Sequence, residues 1–201
     1  QHYITIASRN FIKYKLQILI SVIGLAIGLV CFTYGMKWLE YETSYDGFYP
    51  KSKQMYTLYG INKQTGKKER KLPLVLARKL KQDFPEIKET AMVYNNFGST
   101  FRYNDQILED PKEIFIDKNF FTLFPRKVLS GRQTELLHSS DEIVITKSFA
   151  LKYFKSPEEA IGKVMKNGYR ETLTIVAVVE DAPANSAFQQ DVFELDEFTT
   201  R

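Results

Sequence analysis

Leu16 to Met36 is a run of 21 residues without a charge, LQILISVIGLAIGLVCFTYGM. As a helix it spans about 31 Å, the thickness of a bilayer's hydrocarbon core. Beyond it, apolar positions recur at short periods broken by turn residues, with no repeat and no low-complexity linker, a pattern that predicts one mixed α+β domain.

Within that domain Gln54 to Ile61 reads as a strand and Asn62 to Lys71 as a polar loop carrying Lys63, Lys67, Lys68, Arg70 and Lys71. Pro73 opens a helix in which Leu72, Leu76, Leu80 and Phe84 recur every four residues, and Pro85 closes it. Thr90 to Asn95, Thr100 to Leu108 (folded back at Asn104-Asp105) and Glu113 to Ile116 read as strands. Asp117 is placed to cap a short helix bearing Phe120, Phe121 and Phe124. These rings read as a core anchor, with an exposed docking patch as the rival. Glu142 to Ile145 is a strand, Thr146 caps the next helix, and Ser156-Pro157-Glu158-Glu159 is a capping box. Asn167-Gly168 predicts a two-residue hairpin turn into Thr172 to Val179, whose LTIVAVV run is apolar on both faces and so belongs inside a sheet.

The long apolar run has two readings. A cleaved signal peptide would be shorter and would end in small residues at its cleavage site, which Thr33 and Gly35 supply poorly, so an uncleaved membrane helix is expected. Arg9, Lys13 and Lys15 precede it, whereas Lys37 is followed by Glu40, Glu42 and Asp46, which puts the N-terminus in the cytoplasm and the domain outside. Tyr3, Ile6, Ala7, Phe11 and Tyr14 fall along one side of a short helix at the membrane surface, with a frayed leader as the alternative. Ser21, Gly24 and Gly28 form a small-residue stripe suited to close approach of another helix, although glycine is common in membrane helices for other reasons. The expected organisation is a surface helix over 1–15, a membrane helix over 16–38 and an outer domain over 39–201.

Charge sharpens this division. The whole chain of 201 residues carries 28 basic and 24 acidic side chains. Four of the basic and one of the acidic lie in the first forty residues, so the remaining 161 are nearly neutral. A basic excess beside an apolar segment, not spread over a folded face, argues against nucleic-acid binding. An apolar fraction of 44% excludes a disordered chain.

Candidate chemistry is sparse. The one cysteine, Cys31, lies in the apolar run, so the outer domain has neither a disulfide nor a thiol nucleophile. His2 and His138 fall on opposite sides of the membrane, which leaves no histidine triad or histidine-based zinc site. No phosphate-binding glycine loop is present. The carboxylate pairs Asp141/Glu142, Glu158/Glu159 and Glu180/Asp181 each have a local structural reading. No enzyme activity and no cofactor are expected. The lysine-rich loop reads as a solvated hairpin tip or as a contact surface on the outer domain for lipid headgroups or an acidic partner.

Six ordered stretches carry a resemblance. They are IASRNFIKYKLQILISVIGLAIGL from Ile6, EYETSYDGFYPKSKQMYTLY from Glu40, LPLVLARKLKQDFPEI from Leu72, FIDKNFFTLFPRKVLSGRQTELL from Phe115, EIVITKSFALKYF from Glu142, and AIGKVM with TIVAVVEDAPANSAF from Ala160 and Thr174. In this order the chain resembles the MacB/FtsX-type permease subunits of ABC transporters, over the first membrane helix and the periplasmic core domain. The resemblance implies a dimer of permease copies in the cytoplasmic (inner) membrane, in contact with membrane lipid. It implies a cytoplasmic ABC ATPase that binds the ATP, a periplasmic partner, and work of efflux, export or mechanotransmission. By that resemblance three further membrane helices are missing after Arg201, so the chain is expected to be a fragment. The alternative from another class is the sensor domain of a membrane-anchored receptor.

Overall fold

The computed structural model describes residues 14–69, 72–73, 75–95, 100–104, 106–108, 111–168 and 172–196. The expected surface helix before Tyr14 lies outside them. The chain divides into two compact units, Gln1–Tyr45 and Asp46–Arg201.

Among the described residues of the first unit is one helix, α1 (Lys15–Thr43), of 29 residues with none buried. Among the described residues it is the one helix long and apolar enough to cross a membrane. Its internal ladder pairs the backbone groups that lipid could not, and the Thr33 hydroxyl is satisfied the same way, donating to the Leu29 carbonyl at 2.7 Å. Lys37 and Glu40 form an ion pair at 2.7 Å near its C-terminal end.

The second unit is built on a seven-stranded mixed sheet. Its elements are, in chain order, β1 (Gly60–Ile61), β2 (Lys68–Glu69), α2 (Leu76–Asp83), β3 (Val93–Asn95), β4 (Arg102–Tyr103), β5 (Gln106–Ile107), β6 (Glu113–Ile116), α3 (Phe120–Leu123), β7 (Val128–Gly131), β8 (Glu142–Thr146), α4 (Lys147–Tyr153), α5 (Pro157–Ala160), β9 (Val164–Met165), β10 (Leu173–Val179) and β11 (Val192–Leu195). The sheet order is β3-β6-β11-β8-β10-β7, with β9 on β10, while β1-β2 and β4-β5 are separate hairpins. β6 and β11 run parallel, as do β8 and β10; the other pairs are antiparallel.

Strand alternation sorts the apolar residues to two faces. Ile143 and Ile145 of β8 join Phe101, Phe149, Leu173, Ile175 and Val192 on one face. Val144 joins Phe120, Ala177, Phe193 and Leu195 on the other. The period of two breaks in β10, where the register against β8 shifts between Ile175 and Ala177. The extra residue, Val176, makes a bulge that turns its carbonyl toward β7. There Arg132 donates its N–H to it at 3.0 Å, and Gly131, at φ +90, lies so close that an added Cβ would sit 2.2 Å from that oxygen.

Four expectations change. Gln54 to Ile61 is not one strand: Ser52–Gln54 is a 3-10 turn, and pairing begins only at Gly60, where β2 offers a partner. The helix after Pro73 starts at Leu76, once the Pro73 carbonyl has accepted the Leu76 N–H in a turn. Asp117 stands two residues ahead of the N-cap Asn119, its two oxygens taking the N–H groups of Asn119 and Met92. Asn167-Gly168 is not a two-residue hairpin turn, because Met165 pairs with Leu173 across a longer connection and Asn167 turns inward to Glu194 at 3.1 Å. The caps at Thr146 and Ser156 form as expected, receiving the N–H groups of Phe149 and Glu159. Phe120 is fully buried, so FFTLF is a core anchor.

Candidate functional site

The strongest constellation in the outer domain is where its chain begins. Asp46, three residues after the end of α1 at Thr43, has a left-handed backbone at φ +53. Its N–H donates to the Asn185 carbonyl at 3.0 Å. Its Oδ1 accepts from the Ser186 hydroxyl at 3.1 Å and from the Ala187 N–H at 3.0 Å. Asn and Asp tolerate this backbone region better than other non-glycine residues, and three hydrogen bonds fix it here.

Ser186 is buried at 1% exposure and sits in a turn closed by its own N–H on the Pro183 carbonyl. Because its proton goes to Asp46, the Tyr49 hydroxyl 3.3 Å away is the donor in that contact. Tyr49 is itself buried, its ring stacked obliquely on Phe48 and edge-on to Phe124 at 5.1 Å. Phe124 meets Phe188 at 4.5 Å, and Phe188 meets Phe120, which touches Phe193 of β11. Arg126 completes the group by donating to the Phe188 carbonyl at 2.6 Å with its guanidinium 5.5 Å from the Phe193 ring centre. Burial pulls that guanidinium below its ordinary value, opposed by Tyr49, Asp181 and Asp46.

Two stretches that the sequence offers separately, Ser44-Tyr45-Asp46-Gly47-Phe48 and Pro183-Ala184-Asn185-Ser186, therefore meet in one joint. Both lie within stretches that carry the family resemblance; nothing in their spacing announces the pairing.

The other expected residues are not gathered with it. Ser21, Gly24 and Gly28 are exposed along α1, and a Cβ added at either glycine would meet nothing within 4 Å. Lys15 is the first residue of α1 and exposed; Arg9 and Lys13 lie outside the described residues. Lys63, Lys67 and Lys68 lie exposed at the β1-β2 hairpin, while Arg70 and Lys71 lie outside the described residues. Asn62 organises that tip, its Oδ1 accepting from Gln64 and Thr65 and its Nδ2 donating to Glu69 at 2.8 Å. Lys68 Nζ lies 6.0 Å from the Tyr59 ring centre.

Sequence reasoning also missed three buried acids. Glu113, Glu194 and Asp196 share one sheet face at 4%, 0% and 2% exposure. Asn167 serves Glu194, and Tyr94 donates to Asp196 at 2.8 Å. Among the described residues no three acids, histidines or cysteines are grouped to hold a metal. A cleft of about 270 Å³ beside α3 has Phe121, Leu136 and Leu137 on its floor and Lys118, Gln133 and Glu135 around it.

Residues 18–198 match the MacB-like periplasmic core domain. The chain belongs to this family of ABC transporter permease domains. A domain of a protein from Porphyromonas gingivalis described as a permease has a similar crystal structure, with a TM-score of 0.51 and 22% identity over 60% of this chain and 55% of that one. That likeness supports the fold. The periplasmic region of MacB from Actinobacillus actinomycetemcomitans is also similar, at a TM-score of 0.47 and 18% identity over 70% of this chain and 62% of that one. The chain thus spans less than two thirds of either. No curated protein matches it.

Proposed function

We propose that this chain is the part of an ABC transporter permease that couples a cytoplasmic ATPase to work in the periplasm, by efflux, export or mechanotransmission. The observation that carries this reading is the unbroken family match from within α1 through the outer domain. α1 crosses the cytoplasmic membrane with Arg9, Lys13 and Lys15 on the cytoplasmic side, where they contact anionic lipid or the ATPase. Ser21, Gly24 and Gly28 pack α1 against another helix in a dimer of permease copies. The lysine hairpin meets a periplasmic partner. ATP belongs to the ATPase, and this chain binds no cofactor.

The test is co-expression of the full-length subunit with its candidate ATPase and purification in mild detergent. A stable complex is expected. Two folded proteins that never co-purify would count against the reading.

A further inference from the structure

We propose that Asp46, held by Ser186 and backed by Tyr49, is the joint through which movement of α1 enters the central sheet of the outer domain. The inference rests on the coupling reading above and names the residues that carry it.

The covalent chain from α1 enters the outer unit at Asp46, its first residue. A flexible linker there would absorb a displacement of α1. Instead, the backbone N–H and the side chain of Asp46 are both tied to the same turn, through Asn185, Ser186 and Ala187. The left-handed φ of +53 at a residue other than glycine shows how closely these bonds define the conformation.

The turn is no loose end either. Ser186 Oγ also accepts the Phe188 N–H at 3.2 Å, and Phe188 is wedged against Phe120 and Phe124 while Arg126 grips its carbonyl. From Phe120 and Arg126 the next contact is Phe193, on a strand with sheet neighbours on both sides. Close-packed rings are poorly compressible, so a shift of Asp46 moves β11 instead of dissipating in the loop.

Glycine adopts φ +53 without strain, so Asp46→Gly removes the acceptor and leaves the backbone free to keep its shape. Asp46→Asn keeps an oxygen acceptor, and Ser186→Ala removes the donor from the other side. The full-length subunit, assembled with its ATPase, is followed by hydrogen exchange with and without a non-hydrolysable ATP analogue. The readouts are the last turns of α1 and residues 183–195; β8 and β10 amides report whether each variant is folded.

In the wild type both regions respond to nucleotide. In Asp46→Gly and Ser186→Ala the α1 response persists while that of 183–195 falls on the order of tenfold, the scale of one hydrogen bond to a charged acceptor; Asp46→Asn keeps most of it. Were Asp46→Gly unfolded, Ser186→Ala and Asp46→Asn decide the question. A full response of 183–195 in Asp46→Gly and Ser186→Ala overturns the joint and leaves the coupling reading standing. An α1 that ignores nucleotide in the wild type overturns the coupling reading and the joint with it.

Discussion

The Ser186 hydroxyl donates to Asp46 Oδ1 across 3.1 Å, joining residues 140 positions apart. One partner opens the outer domain and the other lies in the turn leading to β11, so this contact closes almost the whole domain into a loop. Tyr49 supports it from below with both a hydroxyl and a ring.

Those two contributions separate by mutation. Tyr49→Phe removes the hydroxyl that donates to Ser186 and keeps the ring against Phe124, and is expected to lower stability by about 1 kcal/mol. Tyr49→Ala also empties a buried site and is expected to cost about 3–5 kcal/mol. Urea unfolding of the outer domain, followed by circular dichroism, measures both. Equal losses would assign all of the effect to the hydroxyl and contradict the aromatic contribution.

The bulge at Val176 leaves no room for a side chain at Gly131. Gly131→Ala places a Cβ against the Val176 carbonyl and the Ala177 Cα from a φ of +90, and is expected to cost on the order of 3 kcal/mol or to prevent folding. Gly66→Ala, at φ +66 with nothing within 4 Å, bears only the left-handed penalty of about 1 kcal/mol. Comparable unfolding midpoints for the two variants would show that β7 can move away from the bulge.

Acid sensitivity centres on Glu142. Arg132 grips its two oxygens at 2.6 and 2.7 Å, and His138 adds a backbone N–H at 2.8 Å. Chiefly through Arg132, these hold the carboxyl at about 2, against an ordinary 4.5. A folded-state value below the unfolded one gives stability that is complete above the ordinary value and is lost as pH falls from about 4.5 towards 2. Asp117 has the opposite sign, since burial raises its carboxyl and its ionisation opposes folding as pH rises through the raised value. Arg132→Leu should move the Glu142 titration upward in a carbon-detected NMR experiment and raise the pH of acid unfolding. An unchanged titration would mean that the backbone donors alone hold the charge.

Much of this architecture is legible in the sequence because local chemistry sets it. The charge-free run becomes α1, Ser156 and Thr146 cap where their side chains can reach, and the continuous apolar run of β10 is buried on both faces. β11 escapes because Glu194 stands in its middle: a buried carboxylate breaks the apolar pattern, and it is met there by Asn167 from across the fold. Asn167-Gly168 misleads for the same reason, since that long-range bond overrides the local turn preference. The joint at Asp46 was readable as two motifs and not as one site, because a contact across 140 residues leaves no periodicity in the chain.

The stripe on α1 is open to a sharper test. Gly24→Leu and Gly28→Leu meet nothing within the chain and each favours the helix by up to about 1 kcal/mol, so the helix itself should be unharmed. Energy transfer between labelled copies in liposomes should fall if this face packs against a second copy. Undiminished transfer would remove Ser21, Gly24 and Gly28 from the interface.

On the proposed function, nucleotide binding in the cytoplasm moves the outer domains. Spin labels on Lys67→Cys, in a full-length subunit whose other cysteines, Cys31 among them, are replaced by serine, report this movement when the subunit and its ATPase are reconstituted in lipid. Pulsed dipolar spectroscopy then reads the distance between the labels of the two copies. A distance distribution that shifts when a non-hydrolysable ATP analogue binds is the predicted result. An identical distribution with and without the analogue, in a complex shown to bind it, would rule that movement out.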